Sequence, residues 1–253
     1  MMEHPRTELV LDVGNTRIKL GFFREGRLTG QWSLPHGDSA ALASLLDGTL
    51  PDRIAFGSVA KPDPGLMSRL EAMAPVISIT GASPSPVRTG YADPGSLGVD
   101  RLANVVGAAV LFPGRAALAV DLGTCVTYDL VDELAVHRGG IISPGMRMRA
   151  RAMHAYSAKL PEVDPPEEAV FPGTDTAGSL AAGVHHGLLM ELRGFIDEFR
   201  QQHPGLAVVL TGGDALRFAR AMKSGIFAHP SLTLLGLHAL LHFVPDSGTG
   251  RTP

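Results

Sequence analysis

Leu9-Val10-Leu11-Asp12-Val13-Gly14-Asn15-Thr16 is an apolar run that closes on Asp-x-Gly and small polar residues. The same pattern returns as Leu118-Ala119-Val120-Asp121-Leu122-Gly123-Thr124-Cys125, with Asp121 lying 109 positions after Asp12. Each stretch reads as a strand running into a tight turn. An offset near half the chain marks an internal repeat, and so two lobes of like topology. Such lobes are expected to set the two turns face to face across a cleft. The domain boundaries read from the repeat are 1–114 and 115–253.

The flanking sequence repeats as well. Strand patterns at Leu9–Val13, Arg17–Phe23 and Leu28–Leu34 form a first meander; Ala117–Leu122, Thr124–Val131 and Leu134–Ile142 form a second. Further strands are expected at Arg53–Val59, Val76–Thr80 and Ala207–Leu210. Helices are expected at Ser39–Leu46 (capped by Asp38 or Ser39), Gly65–Met73, Leu97–Leu111, Pro144–Ala158, Thr176–Arg200, Asp214–Met222 and Ser231–Phe243. Leu180, Val184, Leu188, Leu192, Phe195 and Phe199 keep the spacing of one helical face. The tail from Asp246 reads as frayed. The fold class is therefore α/β.

Composition narrows the function. The chain has 253 residues, 45% hydrophobic and 19% charged, which is enough apolar surface to fold. A net charge of −3 without a basic block argues against nucleic acid or an anionic membrane as partner. One cysteine, Cys125, rules out an intrachain disulfide and a Cys-rich zinc site. The first residues lack an apolar signal core, and the reading is a cytoplasmic protein.

Neither a G-x-x-x-x-G-K-[ST] run nor a G-x-G-x-x-G run occurs. Asp-x-Gly is a different route to phosphate: glycine lets backbone amides approach, while the carboxylate acts through a cation. Asn15, Thr16 and Thr124 add donors. Two such turns point to a nucleoside triphosphate with a metal ion. Thr211-Gly212-Gly213 is expected near the nucleoside. In Gly98-Val99-Asp100-Arg101, preceded by Tyr91, Asp100 can take a proton from a hydroxyl and Arg101 can grip an acidic substrate. His238 and His242 have metal-ligand spacing, but the glutamate of H-E-x-x-H is missing, so they read as ordinary helix histidines. Cys125 reads as a buried small residue. Arg147, Arg149 and Arg151 read as a solvated or interface face, and Met146, Met148 and Met153 as packing.

These motifs, in this order and spacing, resemble type III pantothenate kinase, within the actin, sugar-kinase and heat-shock ATPase superfamily. Gly139-Gly140-Ile141-Ile142-Ser143-Pro144-Gly145, Lys159-Leu160-Pro161, Thr176 with Gly183, and Thr211-Gly212-Gly213 extend the likeness from about Leu9 to Leu241. The resemblance implies two ribonuclease-H-like domains with ATP in the cleft between them. It implies phosphorylation of the primary hydroxyl of pantothenate, the first step of coenzyme A synthesis. By position, Asp100 would be the base. Asp12, Val13, Gly14, Asn15, Thr16, Arg17, Ile18, Lys19 and Thr124 would hold the ATP phosphates. Asp12 would help to position Mg²⁺, and Asp121 would bind a monovalent cation, K⁺ or NH₄⁺. Tyr91, Gly98, Val99, Asp100, Arg101 and Thr176 would contact pantothenate, with Thr176 reaching the partner's pocket in a homodimer. The alternatives are another small-molecule kinase of the superfamily, or a catalytically silent nucleotide-binding regulator; Asp100 and Arg101 favour the kinase.

Overall fold

The computed structural model describes residues 5–37, 41–46, 48–59, 63–222 and 225–244. The chain opens with an antiparallel meander, β1 (Thr7–Val13), β2 (Arg17–Arg24) and β3 (Arg27–Pro35). Glu25 and Gly26, both at positive φ (50° and 75°), make the two-residue turn whose twist matches a hairpin. Then come α1 (Ala41–Leu45), β4 (Arg53–Ser58), α2 (Pro64–Met73) and β5 (Val76–Ile79). β4 lies parallel beside β1 and β5 parallel beside β4, so the sheet order is β3-β2-β1-β4-β5. β1 is central and buried at every position, which is why it reads as a continuous apolar run rather than an alternating one. The short β6 (Arg88–Thr89) and α3 (Val99–Leu111) follow.

The second half is built the same way. β7 (Ala117–Leu122), β8 (Cys125–Val131) and β9 (Val136–Pro144) form a meander, followed by α4 (Met146–Ala155), α5 (Thr176–Gln202), β10 (Ala207–Thr211), α6 (Ala215–Ala221), β11 (Ile226–Ala228) and α7 (Leu232–Leu241). β10 runs parallel to β7 and β11 parallel to β10, which gives the order β9-β8-β7-β10-β11 for the strands of this half. The repeat is thus one of topology: a meander extended beyond its first strand by two further parallel strands.

Contacts divide the chain into two compact units, Met1–Leu111 with Ser231–Pro253, and Phe112–Pro230. The expected second domain ran to 253, and the last helix corrects it. α7 packs on α3 and on β1 and β4. Its leucines 232, 234, 237, 240 and 241 are all at most 1% exposed, so it needs apolar partners on nearly every side. Close approach to α3 is made possible by two glycines: a Cβ on Gly236 would run into the Ala103 backbone, and one on Gly107 into the Leu232 carbonyl. The first unit's core is built on Leu9, Leu11, Leu20, Ile54 and Leu70. The second unit's core centres on Leu118, Val120, Tyr128, Leu192 and Phe218.

Most element ends fall within a few residues of expectation. β9 begins at Val136 rather than Leu134, because Asp132 takes the Leu134 and Val136 amides into a turn and leaves Leu134 exposed. α3 starts at Val99, after a 3₁₀ turn at Pro94–Ser96. β6 and β11, two and three residues long, are too short to give a periodic signal. The expected cap at Asp38 or Ser39 and the tail from Asp246 lie outside the described residues.

Candidate active site

Asp12 is the penultimate residue of β1 and is only 7% exposed. Strand register pairs it with Lys19, whose Nζ lies 3.9 Å from Asp12 Oδ2. The Gly14 amide donates to the Arg17 carbonyl at 3.1 Å and closes the turn; a His36 ring nitrogen lies 2.9 Å from the Gly14 carbonyl. Asn15, Thr16 and Arg17 are exposed. Arg17 donates to Ser33 Oγ at 2.7 Å and to the Ser33 carbonyl at 3.1 Å, so its guanidinium is held against β3. Val13 and Ile18 sit in the core, so only their backbone is available to a ligand.

Tyr91, Asp100 and Arg101 come together at the start of α3. Asp100, half-buried on the first turn, accepts the Arg101 amide at 2.8 Å on Oδ1. A carboxylate is favoured there by the helix N-terminus. A Cβ on Gly98 would stand 2.6 Å from Asp100 Oδ1, so glycine is what lets this carboxylate keep its position. Arg101 is 6% exposed and donates to the Tyr91 hydroxyl at 2.6 Å. Its guanidinium carbon lies 5.3 Å from the Tyr91 ring centroid, within cation–π range. Val99 faces the core, so only its backbone is available. Thr176 stands apart from these residues in sequence, exposed at the first position of α5. Asp175 caps that helix, its Oδ1 taking the Gly178 amide at 2.7 Å. An open hollow of about 520 Å³ beside it is lined by Met153, Leu160, Gly173, Thr176, Ser179 and Leu180 among others.

The second turn mirrors the first. Asp121 is the penultimate residue of β7, and the Gly123 amide donates to the Cys125 carbonyl at 3.0 Å. Thr124 is exposed and Cys125 half-buried, less covered than expected because it opens β8 at the turn. Thr211 pairs with Asp121 across the parallel ladder. Gly212 adopts φ +91°, and a Cβ there would collide with Asp121 Oδ1 and the Leu122 backbone. The Thr211-Gly212-Gly213 motif therefore packs against the second turn itself.

The glycines of the two turns behave differently from Gly212. Neither Gly14 nor Gly123 has a left-handed φ. A Cβ on Gly14 would meet its nearest neighbour, the Arg17 carbonyl, at 3.5 Å; one on Gly123 would meet Asp121 Oδ1 at 3.4 Å. Those are ordinary contacts. The chain's own packing does not demand glycine at either place.

A cluster that sequence reading missed joins β8, β9, α4 and α5. Glu191 Oε1 accepts from the Tyr128 hydroxyl at 3.0 Å and from Ser143 Oγ, and Oε2 pairs with Arg149. Arg149 also donates through Nε to the Pro144 carbonyl at 2.7 Å. Burial raises the Glu191 carboxyl, but hydrogen bonds from Ser143, Arg149 and Tyr128 outweigh it and hold it below its ordinary value. Burial and then the Glu191 charge push the Tyr128 hydroxyl well up, keeping it a donor. Arg149 is thus an inward partner and not part of a solvated face, unlike Arg147 and Arg151, which are exposed. Met148, expected in the packing, is 38% exposed. The available signal was Glu191 itself, a lone acid among Leu188, Leu189 and Leu192.

His238 and His242 do meet a carboxylate. Glu8, 2% exposed, receives His238 Nε2 at 2.7 Å and His242 Nε2 at 3.0 Å on Oε2, with Arg53 at 2.8 Å and Arg6 at 3.1 Å on Oε1. Among the described residues these three groups have metal-ligand proximity. Two guanidiniums on the same carboxylate oppose a divalent cation, and both oxygens already have donors, so the cluster is an ion network. Burial raises the Glu8 carboxyl, but hydrogen bonds from His238 and Arg53 and the charge of His242 hold it at about 2.

The chain is 38% identical over 240 residues to the type III pantothenate kinase of Porphyromonas gingivalis, a match covering 93% of this chain and 98% of that one. Among solved structures, a conserved putative Baf family transcriptional activator from Campylobacter jejuni aligns with TM-score 0.59 at 19% identity, covering 92% and 97% of the two chains. The activator of 2-hydroxyisocaproyl-CoA dehydratase from Clostridium difficile, with bound ADPNP, aligns with TM-score 0.55 at 13% identity, covering 94% of each. Both likenesses bear on the fold: the mixed α/β sheets of this chain are the duplicated ribonuclease-H-like fold of sugar kinases and related ATPases. No helix among the described residues is long and apolar enough to cross a membrane. The model of the type III pantothenate kinase family matches residues 8–198, and the chain belongs to that family.

Proposed function

We propose that this kinase transfers the γ-phosphoryl group of ATP to the primary hydroxyl of pantothenate, with Asp100 as base, in the cytoplasm and as a homodimer. The observation that carries the reading is the pair of turn glycines, which the fold itself does not require. A glycine kept where packing tolerates alanine is accounted for by something that approaches the backbone, and a phosphate drawn by the exposed Asn15, Thr16 and Thr124 side chains would do so.

The turn from Asp12 to Lys19 and Thr124 hold the phosphates, Asn15, Thr16 and Thr124 through exposed side chains and Val13 and Ile18 through backbone. Asp12 and Asp121 offer hard carboxylate oxygens, a donor set suited to Mg²⁺ and to a monovalent cation. Such cations, when bound, neutralise phosphate charge, the main requirement of phosphoryl transfer. Arg101, buried and permanently charged, attracts the pantothenate carboxylate, and the Tyr91 hydroxyl it holds walls the same place. Asp100 takes the hydroxyl proton as the oxygen bonds to γ-phosphorus and the bond to the β–γ bridging oxygen breaks, releasing ADP. Thr176 contacts pantothenate bound to the partner subunit.

Asp100→Asn is expected to lose at least about a hundredfold in kcat, the usual worth of a positioned base, with an unchanged circular dichroism spectrum. Near wild-type turnover would exclude Asp100 as the base. Assays with and without K⁺ or NH₄⁺ check the role given to Asp121: a rate indifferent to both would remove it.

A further inference from the structure

We infer that Glu191 is a positioning residue for the nucleotide site: through Ser143 and Arg149 it clamps the Ser143-Pro144-Gly145 segment against the Gly123-Thr124 turn. The inference rests on the reading of that turn as a phosphate-binding element.

The links form a continuous path within one unit. Glu191 takes the Ser143 hydroxyl on one carboxylate oxygen and the Arg149 guanidinium on the other. Arg149 reaches back to the Pro144 carbonyl at 2.7 Å, so the carboxylate fixes the segment from both sides. The next residue, Gly145, donates its amide to the Thr124 carbonyl at 3.1 Å. It also lies flat on the turn: a Cβ at Gly145 would run into the Gly123 and Thr124 carbonyls. Gly145 begins α4 with no side-chain cap of its own. The geometry of the Thr124 peptide is therefore set by a backbone glycine, and that glycine's position is set by an ionised carboxylate on α5. Tyr128, buried and held as a donor, keeps the carboxylate aimed at Ser143. A fork of guanidinium and hydroxyl donors on one anion resists displacement better than a neutral pair, because charge-assisted bonds are about twice as strong.

Glu191→Gln is expected to raise the KM for ATP about tenfold, as losses of an outer-shell partner commonly do at ligand sites, while the KM for pantothenate stays near wild type. Ser143→Ala should give a smaller rise, and Ser143→Thr, which restores the hydroxyl, should return it. Gly145→Ala, which presses directly on the turn, should give the largest. Thr124→Ala serves as the reference and should itself raise the KM for ATP. If Thr124→Ala raises it and Glu191→Gln and Ser143→Ala do not, positioning is overturned while the turn keeps its role. If Thr124→Ala leaves it unchanged, the reading of the turn fails and the inference falls with it. Equal rises in both KM values, or a lower melting temperature with neither KM changed, would make Glu191 a structural staple only. Should Glu191→Gln not fold, the Ser143 pair decides.

Discussion

Gly14→Ala separates what the fold needs from what the ligand needs. The new methyl would meet the Arg17 carbonyl at 3.5 Å, an ordinary van der Waals contact, at a residue outside the left-handed region. The folded state therefore loses nothing. Alanine restricts the unfolded chain, which favours the folded state by about 0.4–1 kcal/mol. That corresponds to a melting temperature higher by roughly 1–4 °C in the absence of nucleotide. Phosphate binding should move the other way. A methyl on the turn keeps a phosphate oxygen from the exposed donors around it, Asn15 and Thr16, and a lost charge-assisted hydrogen bond of about 1.5–3 kcal/mol is a ten- to hundredfold rise in the KM for ATP. Differential scanning fluorimetry and a coupled ADP-release assay measure the two effects on one preparation. Gly123→Ala, with its nearest contact at 3.4 Å, should behave alike. A destabilised Gly14→Ala would mean that the turn needs glycine for its own geometry. An unchanged melting temperature with an unchanged KM for ATP would mean that phosphate does not approach this backbone.

Other predictions concern stability. Glu8 is held at about 2, below the unfolded value near 4.5, so it contributes stability that is full above pH 4.5 and disappears as pH falls towards 2. That contribution is about 3 kcal/mol, from 1.36 kcal/mol per unit of pKa. Glu8→Gln should accordingly melt well below wild type at pH 7, with the gap closing between pH 4.5 and 2; a gap independent of pH would refute the assignment. Gly236→Ala drives a methyl into the Ala103 backbone and should cost about 1–3 kcal/mol or more as overpacking, read by chemical denaturation. A neutral result would show that α3 and α7 can separate without loss.

Much of this protein was legible from strand ends. Asp12 and Asp121 could be paired because a strand buried on both faces writes an uninterrupted apolar run, and the turn after it writes Asp-x-Gly. The Tyr91–Arg101 bond spans only ten residues and joins a loop to a helix start, so motif spacing could carry it. Glu191 was out of reach because its partners, Tyr128, Ser143 and Arg149, sit 63, 48 and 42 positions away, and no periodicity links them. The place of α7 was hidden for a similar reason. Its apolar surface says that it is buried but not against which sheet. Arg149 misled because arginines alternating along a helix look solvated until an acid from another helix is known to face one of them.

The last helix has a consequence for how the chain is made. Phe112–Pro230 is continuous, whereas the first unit is assembled from both ends of the chain. On a ribosome, synthesis normally lets the earlier domain finish first. Here the order inverts. The middle of the chain can complete its core while β1 and α3 still lack the leucine-rich surface of α7, which is synthesised after it. Until then the apolar face of α3 is uncovered, and a chain cut short before Leu232 would hold one finished unit and one open one.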